Sequence, residues 1–127
     1  MQSYHLCLPV ESIRNTGTFF EGLALSVAYD RDKQEVYVTF SDESQLVFVE
    51  RETFTKRTGI EWKDPREYGG CLTLRMKEED SLRNLLHIAM LSGGEILRDP
   101  FYDDEGNLVA YMEDYNGYRY QMIYSAS

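Results

Sequence analysis

Residues 5–24 read HLCLPVESIRNTGTFFEGLA, and the hydrophobic period changes in the middle of this stretch. Residues 4–10 alternate apolar and polar side chains, which is typical of a strand with one buried face. After Ser12, residues recur at helical spacing: Ile13, Thr16, Phe19, Phe20 and Leu23. Serine is a favoured N-cap residue, so a helix is predicted to begin at Ser12. Gly17 inside that helix should weaken it by about 1 kcal/mol relative to alanine.

The same order of elements occurs twice along the chain. Three strands are predicted after the first helix, at residues 25–29, 35–40 and 45–50, and polar turns separate them. The second half has a predicted strand at 71–76, a helix with Leu82, Leu85, Leu86, Ala89 and Met90 on one face, and strands at 95–98, 108–113 and 118–124. The Asn-Gly pair between the last two strands is a strong signal for a two-residue hairpin.

This repeat predicts an α+β fold built from two βαβββ modules in one chain. Each module is expected to be a curved mixed sheet with a helix on its convex face, and the two concave faces are expected to form a cavity. A stretch without a clear period, RTGIEWKDPREYGG, carries a proline and a glycine pair, as linkers do. We interpret residues 1–127 as a single domain, with module 1 at about 1–58, the linker at about 58–69 and module 2 at about 70–127.

Polar residues of three predicted strands are expected to share the concave surface. Side chains alternate across a strand, so the apolar positions identify the face that meets the helices. The opposite positions of the first, fifth and last strands are His5, Cys71, Thr73, Arg75, Arg119 and Gln121. Two interpretations stay open: a sheet face wetted by solvent, or a pocket whose few polar groups orient a small ligand.

Arg75, Arg119 and Trp62 are the most specific of the candidate ligand-binding residues. An arginine fork on the concave surface suits a carboxylate or a phosphate, whereas arginines at its rim would pair with Asp or Glu of this acidic chain. Trp62 lies in the predicted linker. It is expected either to cap the cavity or to seal a dimer contact.

Composition and charge exclude several classes of partner. The 127 residues carry 22 acidic and 13 basic side chains, a formal net charge of −9. Nucleic-acid binding depends largely on Lys and Arg that neutralise phosphates, so no nucleic-acid partner is expected.

No stretch approaches the ~18 apolar residues of a membrane span, and the first residues form no apolar block. We therefore expect no membrane partner and a cytoplasmic protein, in which Cys7 and Cys71 are reduced thiols.

The chain resembles the vicinal oxygen chelate superfamily of glyoxalases, bleomycin-resistance proteins and extradiol dioxygenases from about residue 3 to residue 125. The family's N-terminal signature, H-x-x-L-x-V-x-D-L-x-x-S-x-x-F-Y-x-x-L-G, is similar to residues 5–24, with His5, Leu8, Val10, Ile13, Thr16, Phe19, Phe20 and Leu23 in register. Its C-terminal signature, D-P-D-G-N-x-W-E-L, is similar to DYNGYRYQM, which retains Asp114, Gly117 and Tyr120. The stretch LLHIAMLSGGEIL resembles the family's second module. The order and spacing of these motifs imply the family's fold.

The resemblance also implies where a metal would bind. Metal-using members take ligands from the first, fourth, fifth and last strands, which points to His5, Cys71 and Gln121. The fourth-strand position falls near Val47 or Phe48 and offers no ligand, and Glu50 is displaced toward the strand end. An imidazole, a thiol and a neutral amide form a weak donor set, so no metal cofactor is favoured. A divalent metal, if bound, would use His5, Cys71, Gln121 and Glu50.

Three functions are open at this point. The first is a glyoxalase/bleomycin-resistance-like protein that binds a small organic ligand in the cavity without a complete metal site, and the resemblance implies a homodimer. The second is a metal-dependent lyase, isomerase or thiol transferase of the glyoxalase type. Such an enzyme needs a carboxylate in the pocket, but Gln121 supplies an amide, which cannot act as a base. The third is a structural or interaction module. The fold does not select a ligand, because one scaffold supports unrelated chemistries.

Overall fold

This computed structural model describes residues 4–126 of the chain. They contain two four-stranded mixed sheets, each with a main helix packed on one face. The chain divides into two compact units between Lys63 and Asp64. We call these unit 1 and unit 2. The predicted α+β class and the two βαβββ modules are confirmed. None of the described helices is long and apolar enough to cross a membrane.

Unit 1 runs from strand to helix, then through three strands to a final helix. Its elements are β1 (Leu6–Val10), α1 (Ile13–Gly22), β2 (Ser26–Asp30), β3 (Glu35–Thr39), β4 (Gln45–Glu50) and α2 (Arg51–Thr58). The sheet order is β1-β4-β3-β2, with β1 and β4 parallel and the other neighbours antiparallel. Phe19 and Phe20 of α1 are buried, and the Phe20 ring stacks on Phe48 of β4 with 5.3 Å between centroids.

The first helix begins where the sequence predicts. Ser12 is its N-cap, and Ser12 Oγ accepts a hydrogen bond of 3.1 Å from the backbone N–H of Asn15. Gly17 has a packing role, because a Cβ at this position would collide with the Tyr29 hydroxyl of β2. That hydroxyl donates a 3.2 Å hydrogen bond to Glu21. The glycine therefore lets Tyr29 cross the surface of α1.

The sequence does not predict α2, which follows β4 without a break. Only Phe54 of its eight residues is buried, so the segment lacks an apolar helical period. The N-cap is Glu50, whose Oε2 accepts a 2.9 Å hydrogen bond from the backbone N–H of Thr53. Glutamate is not among the residues that N-caps prefer, so the start of this helix also lacks a strong sequence signal.

Unit 2 repeats the order of unit 1 after a short 3₁₀ turn (Pro65–Glu67). Its elements are β5 (Leu72–Met76), α3 (Glu79–Leu91), β6 (Glu95–Tyr102), β7 (Leu108–Glu113) and β8 (Arg119–Tyr124), and the sheet order is β5-β8-β7-β6. Strand β5 runs parallel to β8. The helix buries Leu82, Leu86 and Ala89, and the strands bury Leu74, Met112, Tyr120 and Met122.

Strand β6 is longer than the sequence predicts. It continues past Arg98 to Tyr102, with two irregularities in its pairing to β7. Asp and Pro, here Asp99 and Pro100, usually occur at the ends of strands. The sequence therefore favours the end of β6 at a point where the structure has a bulge and the strand continues.

Candidate functional site

Most of the polar candidates lie on the face of the unit 2 sheet opposite α3. Tyr120 and Met122 of β8 are fully buried on the side of α3, so strand alternation turns Arg119 and Gln121 to the opposite face. The strand register adds residues of β5, β6 and β7 to this face. We call the following set the polar face: Thr73, Arg75, Arg98, Phe101, Tyr111, Glu113, Arg119 and Gln121.

A chain of hydrogen bonds runs across three strands of the polar face. Thr73 Oγ1 donates to Gln121 Oε1 at 2.8 Å, and Gln121 Nε2 donates to Tyr111 Oη at 3.0 Å. These two bonds fix which end of the amide faces which neighbour. In this row of hydrogen bonds the Tyr111 hydroxyl accepts and does not donate, so its proton is available to an acceptor outside the protein.

Aromatic and cationic side chains continue the row onto β6. The rings of Tyr111 and Phe101 stack with 6.5 Å between centroids and an interplanar angle of 18°. The Arg98 guanidinium carbon lies 3.7 Å from the Phe101 ring centroid, a close cation–π contact. Arg98, Tyr111 and Gln121 thus lie in one connected row that crosses the sheet.

Glu113 joins two arginines at the edge of the polar face. Its side chain is only 6% exposed. One carboxylate oxygen accepts from Arg119 Nε at 3.2 Å, and the other accepts from Arg66 Nε at 3.0 Å. Arg66 Nη1 also lies 3.3 Å from Asp64. Each guanidinium meets Glu113 through its Nε atom, so the Nη atoms of Arg119 are not taken up by this carboxylate.

Asp114 organises the β7–β8 hairpin from the other side of the sheet. Its Oδ1 accepts 2.9 Å hydrogen bonds from the backbone N–H groups of Asn116 and Tyr118, and its Oδ2 accepts from the Tyr120 hydroxyl at 2.7 Å. Burial raises the pKa of Asp114 to about 6, although these hydrogen bonds act to lower it. Burial and the neighbouring Asp114 together raise the pKa of Tyr120 well above its ordinary value. This pair supports the hairpin and does not belong to the polar face.

On β4 of unit 1, the position where the family resemblance implies a metal ligand lies among apolar side chains. Val47 pairs with Cys7 and is buried in a cluster with Val49 and Phe54 of α2. The fourth-strand position therefore carries an apolar side chain that α2 covers. Partial burial, with Glu35 adding to it, raises the pKa of the Cys7 thiol. A thiol of raised pKa is a poor metal ligand and nucleophile.

Within the described residues, no hydrogen bond or ion pair joins the other three candidates of unit 1, His5, Glu50 and Trp62, to one another. His5 is exposed and lies one residue before β1. Glu50, the fourth ligand of the hypothetical metal set, caps α2. The Trp62 ring, 37% exposed, carries the Arg51 guanidinium 4.6 Å from its centroid.

Unit 2 holds the other candidate residues. Thr73, Arg75, Arg119 and Gln121 share the polar face, and Cys71 is an exposed free thiol directly before β5. Within residues 4–126, no three His, Cys, Asp or Glu side chains are placed together so that they could hold a metal ion.

Four residues of the polar face are absent from the sequence-based candidates: Arg98, Phe101, Tyr111 and Glu113. The predicted two-residue Asn-Gly loop would set Met112 opposite Gln121 and turn Tyr111 to the helix side, but the observed turn is one residue longer and sets Tyr111 opposite Gln121. Arg98 and Phe101 do not follow the pattern because the bulge between them interrupts the period of two.

Comparisons with known proteins identify the fold. No family model and no curated protein matches the chain. A hypothetical protein from S. aureus matches with a TM-score of 0.87 and 14% identity over 98% of this chain and 95% of its own. A glyoxalase-related enzyme from Fulvimarina pelagi matches with a TM-score of 0.82 and 16% identity over 98% and 89% of the two chains. A bleomycin-binding protein solved with bleomycin matches with a TM-score of 0.65 and 19% identity over 98% and 99%. At these identities the likeness shows the fold.

Proposed function

We propose that this chain, which has the fold of the vicinal oxygen chelate superfamily, binds a small organic ligand on the polar face and does so without a complete metal site. The observation that carries the proposal is the row formed by Thr73, Gln121 and Tyr111. Ligand sites combine a few oriented polar groups with apolar or aromatic walls. The row has both, since the hydrogen-bonded amide lies beside the stacked rings of Tyr111 and Phe101.

The chemistry at position 121 favours binding over metal-assisted catalysis. Gln121 is an amide, which is neutral and cannot take up a proton as a general base. Its oxygen already accepts the Thr73 hydroxyl proton. Glu50, the carboxylate that would complete a metal set, accepts the backbone N–H of Thr53.

A thermal-shift screen of the full chain tests the proposal. The panel contains bleomycin, the ligand of one structural neighbour, and small aromatic and polar organic molecules. A compound that binds should raise the unfolding temperature, because a ligand that binds only the folded state stabilises it. The effect should be lost in Gln121→Ala.

Gln45→Ala is the matched control. Gln45 donates to Thr39 at 3.0 Å on the sheet of unit 1, so this variant also removes an amide that contacts a threonine hydroxyl. The thermal shift should persist in Gln45→Ala. Shifts that persist equally in Gln121→Ala would place the ligand elsewhere and overturn the proposal.

The alternative function is a metal-dependent lyase, isomerase or thiol transferase of the glyoxalase type. Elemental mass spectrometry of untagged protein separates it from the binding protein. Near-stoichiometric metal that is lost in both His5→Ala and Gln121→Ala would support the alternative and contradict our proposal.

We also propose a homodimer in the cytoplasm. The homodimer is what the resemblance to the bleomycin-resistance branch implies, and sedimentation equilibrium tests it. The free thiols Cys7 and Cys71 suit a reducing compartment, where cysteines stay unpaired.

A further inference from the structure

We propose that the ligand of the polar face is an organic oxyanion, a carboxylate or a phosphonate, which Arg98 and Arg119 receive on either side of Tyr111. This inference rests on the proposed function, because it specifies the chemical class of the ligand for the same face. Its first support is the placement of the arginines. Arg98 on β6 and Arg119 on β8 flank the strand that carries Tyr111, and Arg75 on β5 lies on the same face.

The second support is the lack of acidic partners in a chain that is rich in acids. The sequence has 22 acidic residues against 13 basic ones. Even so, no ion pair within 4.0 Å involves Arg75 or Arg98 among residues 4–126. Glu113 is the acid of the polar face, and two arginines share it. Glu95 lies beside Glu113 in the strand register, at the start of β6. Arg75 and Arg98 thus keep their charge for an outside partner.

The third support is that two of the guanidinium groups are held in place before any ligand arrives. Arg98 lies against the Phe101 ring. Arg119 is held through Nε by the buried Glu113 carboxylate. An arginine fork that is already oriented loses less conformational entropy when it binds a carboxylate or phosphonate. The Nη atoms of Arg119 remain available for that contact.

The fourth support is the direction of the hydrogen bonds. Tyr111 Oη accepts from Gln121 Nε2, so its own proton must go to another acceptor. An oxyanion is an acceptor only, and it suits a site whose free groups are donors. The polar hydrogens of Arg98, Arg119 and Tyr111 for which residues 4–126 supply no acceptor are donors for such a ligand.

An NMR titration of the ¹⁵N-labelled full chain tests this inference with three probes of nearly equal size. Benzoate and phenylphosphonate carry the two oxyanions, and benzamide is the neutral counterpart of benzoate. We expect both anions to bind about tenfold more tightly than benzamide, because a hydrogen bond to a charged group is worth more than one to a neutral group. The backbone amides that shift should be those of Tyr111, Gln121 and their strand neighbours.

Arg98→Gln is the first variant, because it breaks no ion pair in the described part of the chain. It should remove the preference for benzoate over benzamide, and Arg98→Lys should restore part of it, since lysine keeps the charge but not the fork. Arg83→Gln is the control. Arg83 pairs with Glu79 on the exposed surface of α3, so this variant removes the same charge away from the polar face. It should leave the preference unchanged.

The outcomes separate the two proposals. Equal affinities for benzoate and benzamide at the polar face would overturn the oxyanion inference and leave the proposed function intact. An equal loss of anion binding in Arg83→Gln and Arg98→Gln would show nonspecific charge attraction and would also overturn the inference. If no probe shifts the amides of the polar face, the oxyanion inference fails, and the thermal-shift screen decides the proposed function separately.

Discussion

The Thr73 hydroxyl donates a 2.8 Å hydrogen bond to Gln121 Oε1 between two parallel neighbouring strands of unit 2. This contact sets the orientation of an amide that occupies the position where the family resemblance implies a terminal glutamate ligand. With its oxygen toward Thr73, the amide directs its N–H group at Tyr111. Gln121 is therefore a connecting residue in a polar row.

A double-mutant cycle measures the strength of this contact. We expect Thr73→Val and Gln121→Leu to show a coupling free energy of about 0.5–1 kcal/mol in urea unfolding, the lower part of the usual range for a protein hydrogen bond. The matched cycle is Thr39→Val with Gln45→Leu, which removes a similar pair on the unit 1 sheet. Both hydrogen bonds lie at exposed sites, but the Gln121 amide is also held by its hydrogen bond to Tyr111, so the second cycle should give the smaller coupling. Equal couplings would show that the Thr73 contact adds nothing specific.

Asp114 should make the stability of the protein depend on pH in an unusual direction. Its pKa is about 6 in the folded chain and about 3.9 in an unfolded one. Folding therefore takes up a proton between these values, and the stability of the wild type falls as pH rises through this window. We compare the wild type with Asp114→Asn. The free energy of unfolding of the wild type minus that of the variant should fall by on the order of 2–3 kcal/mol between about pH 4 and pH 7. Urea unfolding at several pH values measures this difference.

Asp103 provides the control for Asp114, because it accepts backbone hydrogen bonds in the same way in the β6–β7 turn. The hydrogen bond from Asn107 is the main cause that lowers the pKa of Asp103. The sign is then reversed: the wild type should gain stability relative to Asp103→Asn as pH rises above the folded pKa. If the Asp114 variant behaved like the Asp103 variant, the hydrogen bonds at Asp114 would outweigh its burial.

The parts of this fold that the sequence predicts are those in which periodicity and burial agree. Ser12 begins α1 because a serine cap precedes a clear apolar period. Thr73 and Gln121 could be assigned to one face because the alternate residues of both strands are apolar. The sequence could predict candidates for the site only to this extent, since alternation says which face a side chain occupies and not what it contacts.

The features that the sequence does not predict depend on contacts between distant residues or on breaks in a period. Arg66 meets Glu113 from a segment without regular spacing, so no pattern relates the two. Arg98 stacks on Phe101 across a bulge, where counting by two fails. Glu50 looks like a free carboxylate near a strand end, yet it caps a helix that has no apolar face.

Gly117 should tolerate alanine less well than Gly106, although both glycines lie in hairpin turns with positive φ. Their φ values are +94° and +82°. Alanine at either position should cost about 1–2 kcal/mol in backbone strain. At Gly117 the added Cβ would also lie 2.9 Å from Arg66 Nη1, whereas it meets nothing within 4 Å at Gly106. Gly117→Ala should therefore be the more destabilising variant in urea unfolding, and this excess should disappear in an Arg66→Ala background. An excess that persists without Arg66 would contradict the contact.

Glu113 should be far more important for stability than the exposed Glu79, although both form ion pairs with arginine. The Glu113 side chain is 6% exposed and bridges Arg66 and Arg119, whereas the Glu79 side chain is 42% exposed and pairs with Arg83 at 3.7 Å. Glu113→Gln weakens charged hydrogen bonds to two partly exposed guanidinium groups and should cost about 1.5–3 kcal/mol. Glu79→Gln weakens the exposed pair with Arg83 but keeps an oxygen that can accept from the Tyr102 hydroxyl, so it should change the free energy of unfolding by less than about 0.5 kcal/mol. Chemical unfolding at low and at high salt checks both values, and the Glu113 effect should be less sensitive to salt because that carboxylate is buried. Similar small losses in the two variants would mean that Glu113 does not hold Arg119 in place, which would remove one of the oriented guanidinium groups on which oxyanion binding depends.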